Sequence, residues 1–297
     1  MEKYNISASI VVYNSPEDAF KTVETVLDNT KDLDFDLFVI DNNSADKIGE
    51  NLKAKFSQPH YILLDENVGF GRGHNKVLDK INSKYHFIIN PDILINQNTI
   101  KNLCEFMDAH PDCAICCPQV LNPDGTVQYL AKRRPTLSAL LSRRIHKGPF
   151  KKIEDRYLAM ELDHSKPFEA EFCTGCFSVI RTDVFKKIKG FDETYFLYFE
   201  DADITMEAKK HGKAYYTPDA TVVHMWHRET AKSFKPFMQQ LKSMFIYMKK
   251  WGSSQFDFGY TEQFCIPWVT SVFFSSCDSV VGDSLEFNQA NRGSLRV

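Results

Sequence analysis

Three observations predict an α/β fold in which a mostly parallel sheet lies between layers of helices. Short apolar, β-branched runs alternate with amphipathic helical segments through the first 120 residues. Gly, Asn and Asp cluster just after the ends of those runs, the edge where ligands bind in open parallel sheets. Finally, 297 residues with 43% hydrophobic and 25% charged content suffice for one large core and match an ordinary soluble protein.

The elements follow in order. ASIVVY (8–13) reads as the first strand and ends at Asn14. Ser15-Pro16-Glu17-Asp18 then reads as a helix start, with a capping hydroxyl and a first-turn proline. Phe20, Val23, Val26 and Leu27 give that helix its apolar stripe. FDLFVI (35–40) predicts a second strand ending in Asp41-Asn42-Asn43-Ser44, followed by a polar helix and a third strand, YILL (61–64). ENVGFGRGHN (66–75) reads as a glycine-rich loop leading into a helix through Val77, Leu78 and Ile81. HFIIN (86–90) is a fourth strand that stops at Pro91-Asp92. A helix through Ile100, Leu103, Phe106 and Met107 precedes the strand CAICCPQV (113–120), and NPDGT (122–126) is a turn that opens a hairpin. Beyond a basic, weakly patterned stretch (130–165), the expectation is strand over 171–180, helix over 182–189, helix over 202–211 and two short strands within 214–224. The division expected is a nucleotide-binding half (1–121), a catalytic half of the same domain (122–232), an amphipathic helix (233–251) and an unassigned tail (252–297).

Charge and cysteine use exclude several classes. A net charge of −3 provides no field to recruit nucleic acid. No stretch approaches the eighteen apolar residues of a membrane span, and the start MEKYNISASIVVYN lacks the pattern of a secretory signal, so a cytoplasmic chain with reduced thiols is expected. The pairs Cys113/Cys116 and Cys173/Cys176 sit in apolar strand-like runs without suitably spaced histidines and read as small core residues. A dinucleotide fingerprint should follow the first strand, but VVYNSP has no glycine there, and no Walker loop occurs.

The most informative segment is ETYFLYFEDAD (193–203). Glu200, Asp201 and Asp203 stand within four residues, so each opposes ionisation of the others, and Tyr195, Phe196, Tyr198 and Phe199 add desolvation. A carboxylate in that setting is a candidate general base poised nearer neutrality than a free Asp.

The ordered set SIVVYN, VIDNNS, NVGFGRGHN, NPD, TGCFSVIRTDVFKKIKGFDETYFLYFEDAD and then His224 resembles a family 2 glycosyltransferase of the glycosyltransferase A fold, over roughly residues 6–251. The nearest likeness is to the bacterial rhamnosyltransferase branch. The resemblance implies a Rossmann-like sheet and an inverting transfer of sugar, L-rhamnose from dTDP-L-rhamnose first, to a lipid-linked cell-surface glycan. Donors such as UDP-galactofuranose, UDP-glucose or UDP-galactose are the alternatives, followed by a non-catalytic nucleotide-sugar-binding scaffold.

By the same resemblance Tyr13, Asn14, Asp41, Asn43, Asn67, Gly71 and Asn75 would form the nucleotide pocket. Asp92 would bind the nucleotide through a divalent cation, Mg²⁺ or Mn²⁺, with His224 as a further ligand and Asn90 where the family's motif has its first acid. Thr174, Gly175 and Arg228 would contact sugar or acceptor, Asp201 would be the base, and Glu200 the second choice. The basic stretch 132–156 and the amphipathic helix 233–251 suit the inner membrane surface, the helix's apolar stripe alternatively covering the domain or a second subunit in a homodimer.

Overall fold

The computed structural model describes residues 5–14, 16–136, 138–140, 142, 147–225 and 234–252. Arg228 and the tail from 253 lie outside the described residues.

One ten-stranded sheet organises the described chain, with the main order β3-β2-β1-β4-β9-β6-β10-β5. Its first half is the parallel array the alternating pattern predicts. β1 (Asn5–Val12) runs between β2 (Asp34–Asp41) and β4 (Tyr85–Ile89), and β3 (His60–Leu63) is the edge. The second half is mixed. β9 (Phe177–Arg181) lies antiparallel to both β4 and β6 (Cys113–Leu121), while β10 (Lys213–His224) is parallel to β6. The short strands β5 (Ile93–Ile95) and β8 (Phe168–Glu169) pair antiparallel with β10, and β7 (Val127–Gln128) closes a hairpin with β6.

Helices cover both faces. Ile6, Ala8 and Ile10 alternate on one face of β1 and pack with α1 (Pro16–Asp28) and α4 (Thr99–Ala109). α2 (Ile48–Lys55) adds Ile48 and Leu52 to that core. The other face meets Val77, Ile81, Phe185 of α6 (Thr182–Lys187) and Ile204 of α7 (Glu200–Ala208). Ser7 and Ser9 alternate with the apolar residues of β1 and are buried in a polar chain. Ser9 Oγ lies 2.7 Å from His74 Nδ1 and 2.9 Å from His86 Nε2, and Ser7 Oγ lies 2.8 Å from His86 Nδ1.

Three elements differ from the sequence expectation. The glycine-rich run is itself a short helix, α3 (Phe70–Asn75), rather than a loop leading into one. Its glycines admit close neighbours, since a Cβ on Gly71 would lie 2.7 Å from Phe191 Cβ and one on Gly73 would lie 2.9 Å from Val11 Cγ2. Residues 214–224 form one strand, not two, with a register shift between Thr217 and Thr221 around Pro218. Strand structure also begins only at Phe177, because the backbone of 173–175 bonds to α7: Cys173 N donates to Thr205 Oγ1 at 3.2 Å and Gly175 N to Asp201 Oδ2 at 3.1 Å.

α5 spans Pro149–Tyr157 and α8 spans Phe234–Trp251. The apolar stripe of α8 is inward, with Met244 and Tyr247 nearly fully buried against Phe172, Tyr195, Phe199 and Ala202. Each such side chain contributes about 1.5–3 kcal/mol on burial, which favours covering the domain over exposing the stripe. The neighbouring basic stretch is also tied internally. Arg133 pairs with Glu161 and, at 2.7 Å, with Glu171, and Arg134 donates to the Trp251 carbonyl at 2.7 Å. Among the described residues, no helix is long and apolar enough to cross a membrane.

Candidate active site

The chain enters α7 through two successive left-handed residues, Tyr198 (φ 71°) and Phe199 (φ 68°). Neither has the glycine that makes this conformation free, so the packing around them holds the strain. Tyr195 and Phe199 are buried, and Tyr198 and Phe199 both line a cavity of about 390 Å³. Glu200 and Asp201 open onto the same cavity from the first turn of the helix.

The two acids differ in what meets their charge. Asp201 Oδ2 accepts the Gly175 N–H at 3.1 Å, and Oδ1 accepts the Ala202 N–H at 2.9 Å. Burial raises the Asp201 pKa, while the Gly175 N–H and the positive charge of Lys132 pull against that rise. Glu200 is 5% exposed, and its Oε2 has no hydrogen-bond partner. Burial, reinforced by the neighbouring Asp201, pushes its carboxyl well above the ordinary range. Asp201 is therefore a hydrogen-bonded, positioned carboxylate at the cavity wall, and Glu200 is the more protonated neighbour. Asp203 does not join them. Its oxygens accept from Trp251 Nε1 and Lys250 Nζ on α8, so the expected cluster of three carboxylates is a pair.

Asn90, His224, Thr174, Gly175, Phe70 and Lys132 line the same cavity. Asp92 Oδ2 lies 3.3 Å from His224 Nε2. Asn90 Oδ1 and Asp92 Oδ1 are buried acceptors without a partner. Such oxygens cost free energy unless something positive or hydrogen-donating meets them. Two oxygens and an imidazole nitrogen fit Mn²⁺ or Mg²⁺ in donor type. Among the described residues no group of three His, Cys, Asp or Glu converges, so the charge available here is limited and substrate phosphates would have to complete a coordination shell.

The residues expected at the nucleotide form a second cluster at the ends of β1, β2 and β3, outside the cavity lining. Asn14 (φ 48°) accepts the Ala45 N–H on Oδ1 at 2.9 Å, and its own N–H meets Ser44 Oγ at 3.1 Å. Asp41 accepts backbone N–H groups of Ser44 (2.9 Å) and Gly49 (3.0 Å). Asn67 Oδ1 accepts from Asn42 Nδ2 and Gly69 N at 2.9 and 3.0 Å. Tyr13 is 46% exposed and Asn43 is exposed in a left-handed conformation (φ 62°), each just past the carboxyl end of its strand. Gly71 is packed under Phe191. Asn75 turns away: its Nδ2 and Oδ1 bond the backbone of Phe191 at 2.9 and 2.8 Å, holding the 190–193 turn. Arg228 lies outside the described residues.

Sequence reasoning missed three contributors. Asn42 is buried and bridges β2 to the glycine-rich helix through Asn67, Gly69 and Val68. Lys132 faces the cavity, and Gln128 holds His224 by a 3.0 Å contact to Nδ1. The Asn-Asn pair after Asp41 was a visible signal for the first; nothing in local spacing marked the other two.

Comparison with known proteins gives the family and the fold. The family model described as "Glycosyl transferase family 2" matches residues 7–189. N-acetylglucosaminyl-diphospho-decaprenol L-rhamnosyltransferase of Mycobacterium tuberculosis is 24% identical over 204 residues, 63% of this chain, and the chain spans 66% of that relative's length. Rhamnosyltransferase WbbL of Escherichia coli K12 is 25% identical over 258 residues, covering 81% of this chain and 92% of WbbL. In structure, GalNAc-T7 crystallised with UDP, GalNAc and Mn²⁺ superposes with a TM-score of 0.60 at 14% identity, over 82% of this chain and 48% of that one. The fold is thus that of glycosyltransferase A enzymes, and with the family model covering more than half of the chain, the protein belongs to glycosyl transferase family 2.

Proposed function

We propose that this chain is an inverting glycosyltransferase that moves a sugar, L-rhamnose from dTDP-L-rhamnose, onto a lipid-linked saccharide for a cell-surface glycan. The observation that carries the reading is Asp201, a hydrogen-bonded carboxylate of raised pKa on the wall of a cavity that faces Asn90 and His224. Both rhamnosyltransferase relatives support the donor, and the mycobacterial relative's name supports a lipid-diphosphate acceptor.

In this reading Asp201 takes the proton of an acceptor hydroxyl. That oxygen bonds to the anomeric carbon as the bond from carbon to the nucleoside diphosphate breaks, and configuration inverts. Raised pKa suits the base, because a carboxylate nearer neutrality accepts a proton at lower cost. Glu200, whose carboxyl burial raises well above its ordinary range, can in its protonated form donate a hydrogen bond to the acceptor. In the same reading Tyr13, Asn14, Asp41, Asn43 and Asn67 would meet the nucleotide, and Thr174 and Gly175 would border the sugar. Asp92, Asn90 and His224 would hold Mg²⁺ or Mn²⁺, which when bound offsets negative charge on the leaving diphosphate. An acceptor at the inner membrane face would be met by surfaces other than the α8 stripe, which is covered.

The alternative donor is a UDP-sugar, favoured by the same geometry and by the UDP in the GalNAc-T7 structure. A calorimetric panel of dTDP, UDP, GDP and dTDP-L-rhamnose, each with Mn²⁺ and with EDTA, decides between them. Preference for dTDP and its rhamnose conjugate is expected. Preference for UDP moves the donor to a hexose or galactofuranose, and no binding by any of the four overturns the transferase reading.

A further inference from the structure

We infer that Gln128 is a positioning residue that fixes the proton on His224 Nδ1 and so delivers Nε2 to the Asp92 side of the site. The argument starts at the β6–β7 turn. Asp124 Oδ1 can only accept, and it takes the Thr126 hydroxyl at 2.6 Å. Hydrogen bonds from Thr126 also hold that exposed carboxyl below its usual range, so it stays an acceptor.

With its proton committed, Thr126 Oγ1 must accept from Asn122 Nδ2 at 2.8 Å. Asn122 Oδ1 is then the acceptor for Gln128 Nε2 at 2.7 Å. The same Nε2 also faces the His224 carbonyl at 3.2 Å, which can only accept. Two acceptors therefore fix the Gln128 amide, and its Oε1 is the atom 3.0 Å from His224 Nδ1. An oxygen without a hydrogen requires that Nδ1 carry the proton.

His224 Nε2, 3.3 Å from Asp92 Oδ2, is thereby left to face a carboxylate. A neutral imidazole has one N–H, and both its nitrogens here face oxygens. With Nδ1 carrying the proton, Nε2 turns its lone pair toward Asp92, a placement that suits a cation, and Asp92 Oδ1 and Asn90 Oδ1 are buried oxygens without a hydrogen-bond partner. A histidine ligand that donates its other ring N–H to a fixed oxygen is the common arrangement at metal centres. The inference rests on the metal reading of Asp92 and His224 for its consequence, though not for the proton placement.

The test is Mn²⁺ binding by electron paramagnetic resonance, with dTDP present, in the full chain. Gln128→Met should weaken Mn²⁺ binding by about 10- to 100-fold, the range for lost ligand support. Gln128→Glu keeps an oxygen for Nδ1 but sets its other oxygen against Asn122 Oδ1 and the His224 carbonyl, so it should bind Mn²⁺ more tightly than Gln128→Met without reaching wild type. In a His224→Ala background, Gln128→Met should change nothing further. Wild-type affinity in Gln128→Met, or an equal loss without His224, overturns the inference.

If His224→Ala itself binds Mn²⁺ normally, the metal assignment fails separately. Gln128 is then read from the histidine side-chain ¹⁵N–¹H spectrum. A His224 Nδ1–H signal lost in Gln128→Met sustains the proton placement, and its absence from the wild type refutes it.

Discussion

Asp203 accepts the Trp251 indole N–H at 2.6 Å, and this bond ties the end of α8 to the helix that carries Asp201. Lys250 reinforces the tie with a 2.9 Å ion pair to the same carboxylate and further pairs to Asp192 and Glu207. A single residue separates Asp201 from Asp203, yet one faces the cavity and the other faces α8.

Breaking that tie should lower stability before it affects chemistry. Asp203→Ala leaves Trp251 Nε1 unpaired and removes one of three acids around Lys250. The expected loss is roughly 3 kcal/mol, the low end for a broken buried pair, because Asp192 and Glu207 still face the cation. Urea unfolding checks this, and a variant as stable as the wild type would mean that α8 is held by its apolar stripe alone.

Asp201→Asn should reduce kcat by about 10²- to 10⁴-fold, the usual contribution of a general base, with nucleotide affinity unchanged. It should also raise the melting temperature at neutral pH. Burial raises the folded pKa, so the folded state binds more protons than the unfolded state. That stabilisation is present at low pH and is lost as pH rises through the folded pKa. An amide removes the cost of the buried charge while still accepting the Gly175 N–H. Unchanged turnover would remove Asp201 from the base role.

Gly175 makes the position of Asp201 testable without touching the carboxylate. A Cβ there would lie 3.0 Å from Asp201 Cβ and 3.5 Å from Phe70 Cε1. Gly175→Ala should push the α7 first turn outward by a few tenths of an ångström. The expected fall in kcat is about tenfold or more, approaching the 10²-fold of a full ångström's misplacement. Donor dissociation constants should hold, and a change in those alone would place Gly175 with the nucleotide.

The parallel half of the sheet was legible in the sequence because β1, β2 and β4 are buried apolar runs bounded by polar loops. The antiparallel insertion of β9 was not, since register and direction depend on partners distant in the chain. For the site, GFDETYFLYFEDAD located Asp201, but spacing alone could not separate it from Asp203. Helical positions two apart point to different neighbours, and which neighbour arrives depended on α8, some fifty residues on. Asn75 likewise read as part of a ligand loop, while its amide is spent on the 190–193 turn. Gln128 was invisible because its meaning lies in the atom it presents to a histidine on another strand.

The buried chain His74–Ser9–His86–Ser7 predicts an acid-side loss of stability. Burial lowers the His86 pKa to about 3, and burial together with His86 lowers that of His74 well below its ordinary value. Unfolded histidines titrate near 6.5. Between that value and the folded values the unfolded state binds more protons, so stability falls as pH drops below about 6.5. Each histidine contributes about 1.4 kcal/mol of loss per pH unit across that window. Glu200 and Asp201 act in the opposite sense, since their folded pKa values are raised. A difference measurement separates the two effects. His86→Gln keeps a polar side chain toward Ser7 and Ser9 but cannot titrate, so it should be less stable at pH 7.5 and show a flatter decline toward pH 5.5. Equal slopes for wild type and variant in urea unfolding would show that His86 binds its proton as readily in the fold as in the unfolded chain.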